Sequence, residues 1–163
     1  MTDSDHSALY AAELVAFDGT DLEDARPFDQ VRLLINAVVA DPWWPGGGVD
    51  VRAARSDARS SSARCAVSGG GSGTIRLAAS QTTIATAAHE LAHVLAGPAH
   101  GHGARYRRAY LDVVQVMTNM DTTDRRRGLH VDQLADAFSA AGLDVGARCW
   151  PAPPAGMGCA FAL

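Results

Sequence analysis

The chain has 163 residues, is 47% hydrophobic and carries a formal net charge of −4, which suits one domain with a sizeable core. Its acidic balance argues against a nucleic-acid-binding domain that relies on an overall positive field. No apolar run reaches the length of a membrane span, and the N-terminus lacks the pattern of a secretory signal. We therefore expect a cytoplasmic protein with no membrane partner.

The cysteines do not form a recognisable scaffold. Cys65, Cys149 and Cys159 make an odd number without a CxxC spacing, which argues against a disulfide framework and against a cysteine zinc ribbon. We expect reduced thiols, although Cys149 and Cys159 could pair in an oxidising compartment.

The first elements along the chain are a short apolar stretch and a clear helix. Residues 1–8 are expected to fray, and the stretch 10–17 fits either a strand or a helical turn. From Pro27, a typical first-turn residue, apolar residues recur at helical spacing until the following Asp-Pro pair. We expect a helix there, followed by Trp43 and Trp44 in the core.

Alternating residues predict two short strands, over 49–52 and 74–78. The Ser/Gly-rich stretch 56–73 between them is expected to be a long loop that either rims a cleft or has no fixed structure. Its glycines are not a phosphate-binding loop, because no Gly-Lys-Ser/Thr follows them.

The second half of the chain predicts three helices, over residues 83–96, 103–117 and 131–141. Ser80 or Thr82 can cap the first of them, and Gly97 ends it. Residues 147–163 are rich in proline, alanine and glycine and show no period. We therefore divide the chain into a domain over 1–146 and an irregular tail over 147–163.

The strongest chemical signal is the HExxH motif His89-Glu90-Leu91-Ala92-His93. Residues four apart lie on one face of a helix, so His89 and His93 can point their imidazoles at one ion. Zinc is the ion that this pattern usually holds, and we expect one Zn²⁺ per chain. Zinc lowers the pKa of a bound water, and Glu90 can take its proton as a general base. The motif therefore predicts zinc-assisted hydrolysis of a peptide or other amide bond.

The residues leave the third zinc ligand open. A catalytic zinc usually has three protein ligands, but the metzincin position, six residues after His93, is alanine. No glutamate follows Glu90, so a glutamate on a later helix is excluded. His100 and His102 are the close candidates. Asp112 is a distant one, and its position in the predicted helix favours a solvent-facing side chain.

HExxH followed by His102-Gly103-Ala104-Arg105-Tyr106 resembles the SprT-like zinc metallopeptidases, whose pattern continues with His-Gly-x-x-aromatic at the start of the next helix. The chain also resembles small metallohydrolases of high-GC bacteria and their phages. The likeness covers residues 27–115. It implies that His102 is the third zinc ligand, and that the protein works in the cytoplasm of such a bacterium or of a phage host.

The resemblance also implies an α+β, zincin-like single domain, in which a small sheet packs on the HExxH helix and the following helix closes the site. Ala104-Arg105 stands where the family usually has Pro-Glu, so the family's substrate preference is not assigned to this chain. Arg105 can bind substrate and Tyr106 can bind an oxyanion. We expect Tyr106 to pack between helices and the basic cluster 105–108 to form a solvated face.

Together these features predict a zinc metallopeptidase that acts on a protein or peptide substrate, with no oligomeric state indicated. A zinc-binding structural or regulatory protein would bind the metal without turnover. A DNA-associated protease would use the arginine clusters 105–108 and 125–127 and bind nucleic acid in a salt-dependent way. A scaffold protein would bind no zinc. His6 and His130 stand alone in the sequence, and we expect no metal role for His130.

Overall fold

The structure, a computed structural model, describes residues 5–66, 70–121 and 128–155. The described helices are α1 (His6–Phe17), α2 (Phe28–Ala40), α3 (Ile84–Ala96), α4 (Ala104–Met120) and α5 (Leu129–Ala140). The described strands are β1 (Val49–Ala53), β2 (Ser62–Cys65) and β3 (Gly73–Leu77), and short 3₁₀ turns cover Asp21–Glu23 and Ala79–Gln81. The predicted α+β class is confirmed. Across the described residues, each helix is too short or too polar to cross a membrane.

The three strands form one sheet with β3 in the centre. β3 pairs in parallel with β1 and antiparallel with β2, so that Val51 and Ala63 both lie opposite Ile75. The prediction of a loop was wrong over β2. Its four side chains alternate between exposed and half-buried, but the two inward residues, Ala63 and Cys65, are small and give only a weak apolar signal. The strand therefore depends on backbone hydrogen bonds to β3, which pairs with it from a later part of the sequence.

α3 is almost entirely enclosed, with 11 of its 13 residues buried. The side-chain oxygen of Thr83 caps this helix by accepting a hydrogen bond from the Thr86 amide at 3.1 Å. The predicted caps, Ser80 and Thr82, were wrong because Ala79–Gln81 forms a separate 3₁₀ turn. Gly97 ends the helix as predicted, with φ at +94°, a conformation that favours glycine.

α1 confirms the helical alternative for residues 10–17 and extends the helix back to residue 6. It is a 12-residue helix that begins at His6, so neither a frayed start over residues 5–8 nor a strand over 10–17 is observed. Leu9 and Phe17 are fully buried, and α1 packs against α5. Tertiary burial rather than a strong local pattern therefore stabilises this helix.

The tail folds back onto the domain as far as it is described. Residues 147–155 contain no helix or strand, yet Trp150 is buried, and the carbonyl of Pro151 accepts a hydrogen bond from the Trp43 indole at 2.8 Å. Trp43 and Trp44 belong to the core as predicted. The arginine cluster 125–127 and Cys159 lie outside the described residues.

Candidate metal centre

Three imidazoles converge at one point between α3 and α4. His89 and His93 lie four residues apart on α3, and His102 lies in the turn before α4. One ring nitrogen from each lies within 4.8 Å of the others, and the Nε2 atoms of His89 and His102 are 3.4 Å apart. Two nitrogens bound to one tetrahedral zinc stand about 3.3–3.4 Å apart. The spacing of this pair therefore fits a single zinc ion.

Glycines shape the loop that brings His102 back to α3. Gly97 and Gly101 both have positive φ angles, and the Gly103 amide donates to the carbonyl of His100 at 2.9 Å, which closes a tight turn. His102 is only 7% exposed. His100, the alternative ligand, is exposed and does not belong to the three-histidine group.

Glu13 on α1 orients His89 from behind. Its carboxylate accepts a hydrogen bond from His89 Nδ1 at 2.7 Å, and the two side chains are 13% and 8% exposed. A proton on Nδ1 leaves Nε2 free to bind a metal, which is the usual arrangement for a histidine ligand. Burial lowers the pKa of His89, but the hydrogen bond and charge of Glu13 and the charge of Glu90 outweigh it, so the net shift is upward.

Sequence reasoning missed Glu13. The available signal was its residue type, since the chain holds 18 acidic residues of which only Glu13, Glu23 and Glu90 are glutamate. That scarcity gives no hint of which histidine Glu13 contacts, because 76 residues separate the two.

Glu90 is buried beside the histidines. It is 7% exposed and, among the described residues, its carboxylate makes no hydrogen bond and no salt bridge. Burial raises the pKa of Glu90 to about 6, with Glu13 adding to the shift and His89 opposing it. A carboxylate with a pKa close to neutrality is well suited to take and return a proton at physiological pH.

Two cavities meet at this group of residues. One has a volume of about 330 Å³ and the other about 500 Å³, and both are bordered by Tyr10, His89 and Glu90. The larger one also reaches His93, His102 and the exposed side of β2. The Ser/Gly-rich stretch thus rims a cleft, one of its two predicted alternatives, as far as it is described. The centre is therefore accessible from two sides.

α1 also lies against the open side of the group. The ring centroid of Tyr10 lies 5.4 Å from that of His89, in a stacked orientation. The ring centroid of His6 lies 5.2 Å from that of His102. His6, which stands alone in the sequence, lies beside His102 because α1 begins at residue 6, where a frayed start was expected. His130 is fully buried beside Asp21, outside the group.

Asp112, the distant ligand candidate, lies outside the group and is buried rather than solvent-facing. Its carboxylate accepts hydrogen bonds from Arg148 Nε at 2.8 Å, from Arg148 Nη2 at 3.0 Å and from Trp150 Nε1 at 2.8 Å. The prediction of a solvated position was wrong because the tail, whose path no local pattern reveals, covers this side of α4.

Tyr106 packs between the two helices, as expected. It is fully buried, its hydroxyl donates to the carbonyl of His89 at 3.3 Å, and its ring centroid lies 4.3 Å from that of His93. Tyr106 lines neither of the two cavities. Its position therefore supports packing and gives no support to a role in binding an oxyanion.

The arginines that follow His102 bind the protein's own backbone and tail. The guanidinium of Arg105 lies 5.7 Å from the centroid of the Trp150 ring. Arg107 is 4% exposed and donates to the carbonyls of His102 and Asp144. The expected solvated face was wrong for Arg107, because this side chain fixes the turn that carries His102. Arg105 likewise contacts the tail, at Trp150 and Cys149, and lines neither cavity.

Comparison with known proteins gives no relative, since no family model, no curated protein and no solved structure matches this chain. The chemistry of the centre must therefore be interpreted from its own geometry.

Proposed function

We propose that this protein is a zinc-dependent hydrolase that cleaves peptide bonds in peptides or proteins. The observation that carries the proposal is the 3.4 Å spacing of His89 Nε2 and His102 Nε2 next to the buried residue Glu90, whose carboxylate forms no hydrogen bond with a described residue. The SprT-like pattern of HExxH followed by His-Gly-x-x-Tyr supports the same class. A zincin-like relation between α3 and α4 is part of this proposal.

The donor set suits a catalytic zinc better than a structural one. Three neutral imidazoles are typical zinc ligands, and structural sites usually have four protein ligands. The described residues bring three donors together, and two cavities border the group. When zinc is bound, it lowers the pKa of a coordinated water and supplies a nucleophile at neutral pH.

The remaining chemistry belongs to the chain's own side chains. Glu13 holds His89 in the tautomer that leaves Nε2 free. Glu90 takes a proton from the attacking water while the water oxygen adds to the carbonyl carbon of the peptide bond. As the C–N bond breaks, Glu90 returns that proton to the leaving amine. The two cavities allow the chain segments on either side of the cleaved bond to leave in different directions.

Replacing Glu90 with glutamine tests the proposal. Zinc-loaded wild type should cleave a mixture of unstructured fluorescent peptides, and Glu90→Gln should lose about 10²–10⁴-fold in kcat/KM, which is the usual contribution of a general base. Zinc content measured on both proteins shows whether the variant keeps its metal. Equal cleavage by both proteins, or bound zinc without cleavage by wild type, would contradict the proposal. The second outcome would favour a structural or regulatory zinc protein.

A further inference from the structure

The 330 Å³ cavity beside Glu90 is strongly acidic. Four carboxylates border it, from Glu13, Asp18, Glu23 and Glu90, and these include every glutamate of the chain. No arginine borders it in the part of the chain that the structure describes. His89 also borders the cavity and pairs with Glu13 at 2.7 Å. The other three carboxylates, of Asp18, Glu23 and Glu90, form no salt bridge with a described residue, so the cavity holds an excess of negative charge.

The outer carboxylates remain available for a ligand. Asp18 and Glu23 are exposed and form no salt bridge with any described residue. Burial raises the pKa of Glu23, and the charges of Glu13 and Asp18 raise it further, so these groups lie within one another's electrostatic field. Like charges held close together repel, and a bound cation removes that repulsion.

The cavity also has an apolar wall. Tyr10, Leu14 and Ala85 border it, and the side of α1 facing outward leaves Tyr10 46% and Leu14 64% exposed. Arginine and lysine lay their aliphatic stems on apolar surfaces while their charged ends seek polar partners. A guanidinium also packs well on the face of an aromatic ring. Apolar walls beside carboxylates thus match a long cationic side chain.

Glu90 connects this cavity to the proposed chemistry. Glu90 is 7% exposed, its carboxylate forms no hydrogen bond with a described residue, and it borders the cavity together with His89. A side chain that enters the cavity therefore belongs to a residue at or next to the bond under attack.

We propose that this cavity is a specificity pocket that binds the cationic side chain of an arginine or lysine next to the cleaved bond. This inference rests on the proposed hydrolase function, and it names the class of substrate.

Binding of two small probes tests the pocket without any turnover. Butylguanidinium and butylurea have nearly the same shape and differ in charge, and NMR titration of the zinc-loaded protein measures their affinities. We expect butylguanidinium to bind at least about tenfold more tightly than butylurea. Glu23→Gln should weaken butylguanidinium binding about three- to fivefold. Asp24→Asn, the same loss of charge at the neighbouring residue outside the cavity, should leave it unchanged.

Hydrolysis of matched peptides gives the second readout. Two peptides that differ only by arginine or its neutral analogue citrulline should show a kcat/KM ratio of at least about ten for wild type. This ratio should fall about three- to fivefold in Glu23→Gln and not in Asp24→Asn.

The two measurements separate failure of the pocket from failure of the proposed function. Equal binding of both probes, or equal effects of Glu23→Gln and Asp24→Asn, would overturn the pocket even if zinc-dependent cleavage occurs. If the probes are discriminated but no peptide is cleaved, the cation pocket is supported and the hydrolase function fails.

Discussion

Replacing Glu13 with glutamine should weaken zinc binding while leaving the centre folded. Glu13 accepts the Nδ1 proton of His89 at 2.7 Å, and both side chains are largely buried. The negative carboxylate fixes the tautomer of His89 and makes its Nε2 a better donor to a metal. Glutamine has nearly the same size and still offers an acceptor oxygen, so the variant removes the charge and little else.

The expected size of this effect follows from the nature of the hydrogen bond. A hydrogen bond to a charged group contributes ~1.5–3 kcal/mol, and a neutral one contributes ~1 kcal/mol. The difference of ~0.5–2 kcal/mol corresponds to about a two- to thirtyfold change in affinity. Losses of about 10–100-fold are typical for groups that orient metal ligands. We therefore expect zinc to bind about tenfold more weakly to Glu13→Gln.

Competition with a fluorescent zinc chelator measures this change directly. The titration should be run at pH 8, above the ordinary pKa of histidine, so that protons compete little with the metal for His89. Glu23→Gln is the matched control, because it removes a carboxylate from the same cavity that does not contact His89. Equal zinc affinity for Glu13→Gln and wild type would refute the proposed role of the Glu13–His89 hydrogen bond.

Three further predictions concern stability. Thr83→Ala should lower the free energy of unfolding, measured in urea, by about 1 kcal/mol because it removes the cap of α3. The control Thr82→Ala should change the free energy of unfolding by less than about 0.5 kcal/mol. Equal losses in the two variants would contradict the capping assignment. Asp112→Asn should lower the free energy of unfolding by about 2 kcal/mol because it weakens the contacts of the tail, and it should leave the zinc affinity unchanged. Loss of zinc in this variant would contradict the placement of Asp112 outside the metal centre. Zinc at 100 times its Kd should raise the thermal midpoint of wild type by about 5–10 °C but not that of His102→Ala; equal shifts would contradict ligation by His102.

Local patterns in the sequence predicted the parts of the site that depend on short spacings. The helical period and the four-residue spacing of His89 and His93 place both on one face of α3, since the backbone geometry of a helix dictates it. His102 was indicated by its short distance along the chain from His93 and by the resemblance to a known pattern. Glycines at 97 and 101 allow the turn that brings it back.

The remaining parts depend on contacts between distant segments, which no local period encodes. Glu13 reaches His89 only because α1 packs across the open side of α3 and α4. Asp112 is buried only because the tail returns to α4, where Arg148 and Trp150 meet it. β2 shows the same limit in a strand, since its hydrogen bonds come from β3 and its alternation covers only four residues with small inward side chains.

The most direct test of the account is the zinc content of purified wild type, His102→Ala and His100→Ala after incubation with zinc and removal of the excess. The two variants make the same substitution in one loop, but only His102 belongs to the three-histidine group. We predict one zinc per chain in wild type and in His100→Ala, and almost none in His102→Ala. Wild type without zinc, or His102→Ala with a full equivalent, would contradict the assignment of His89, His93 and His102 as a zinc site.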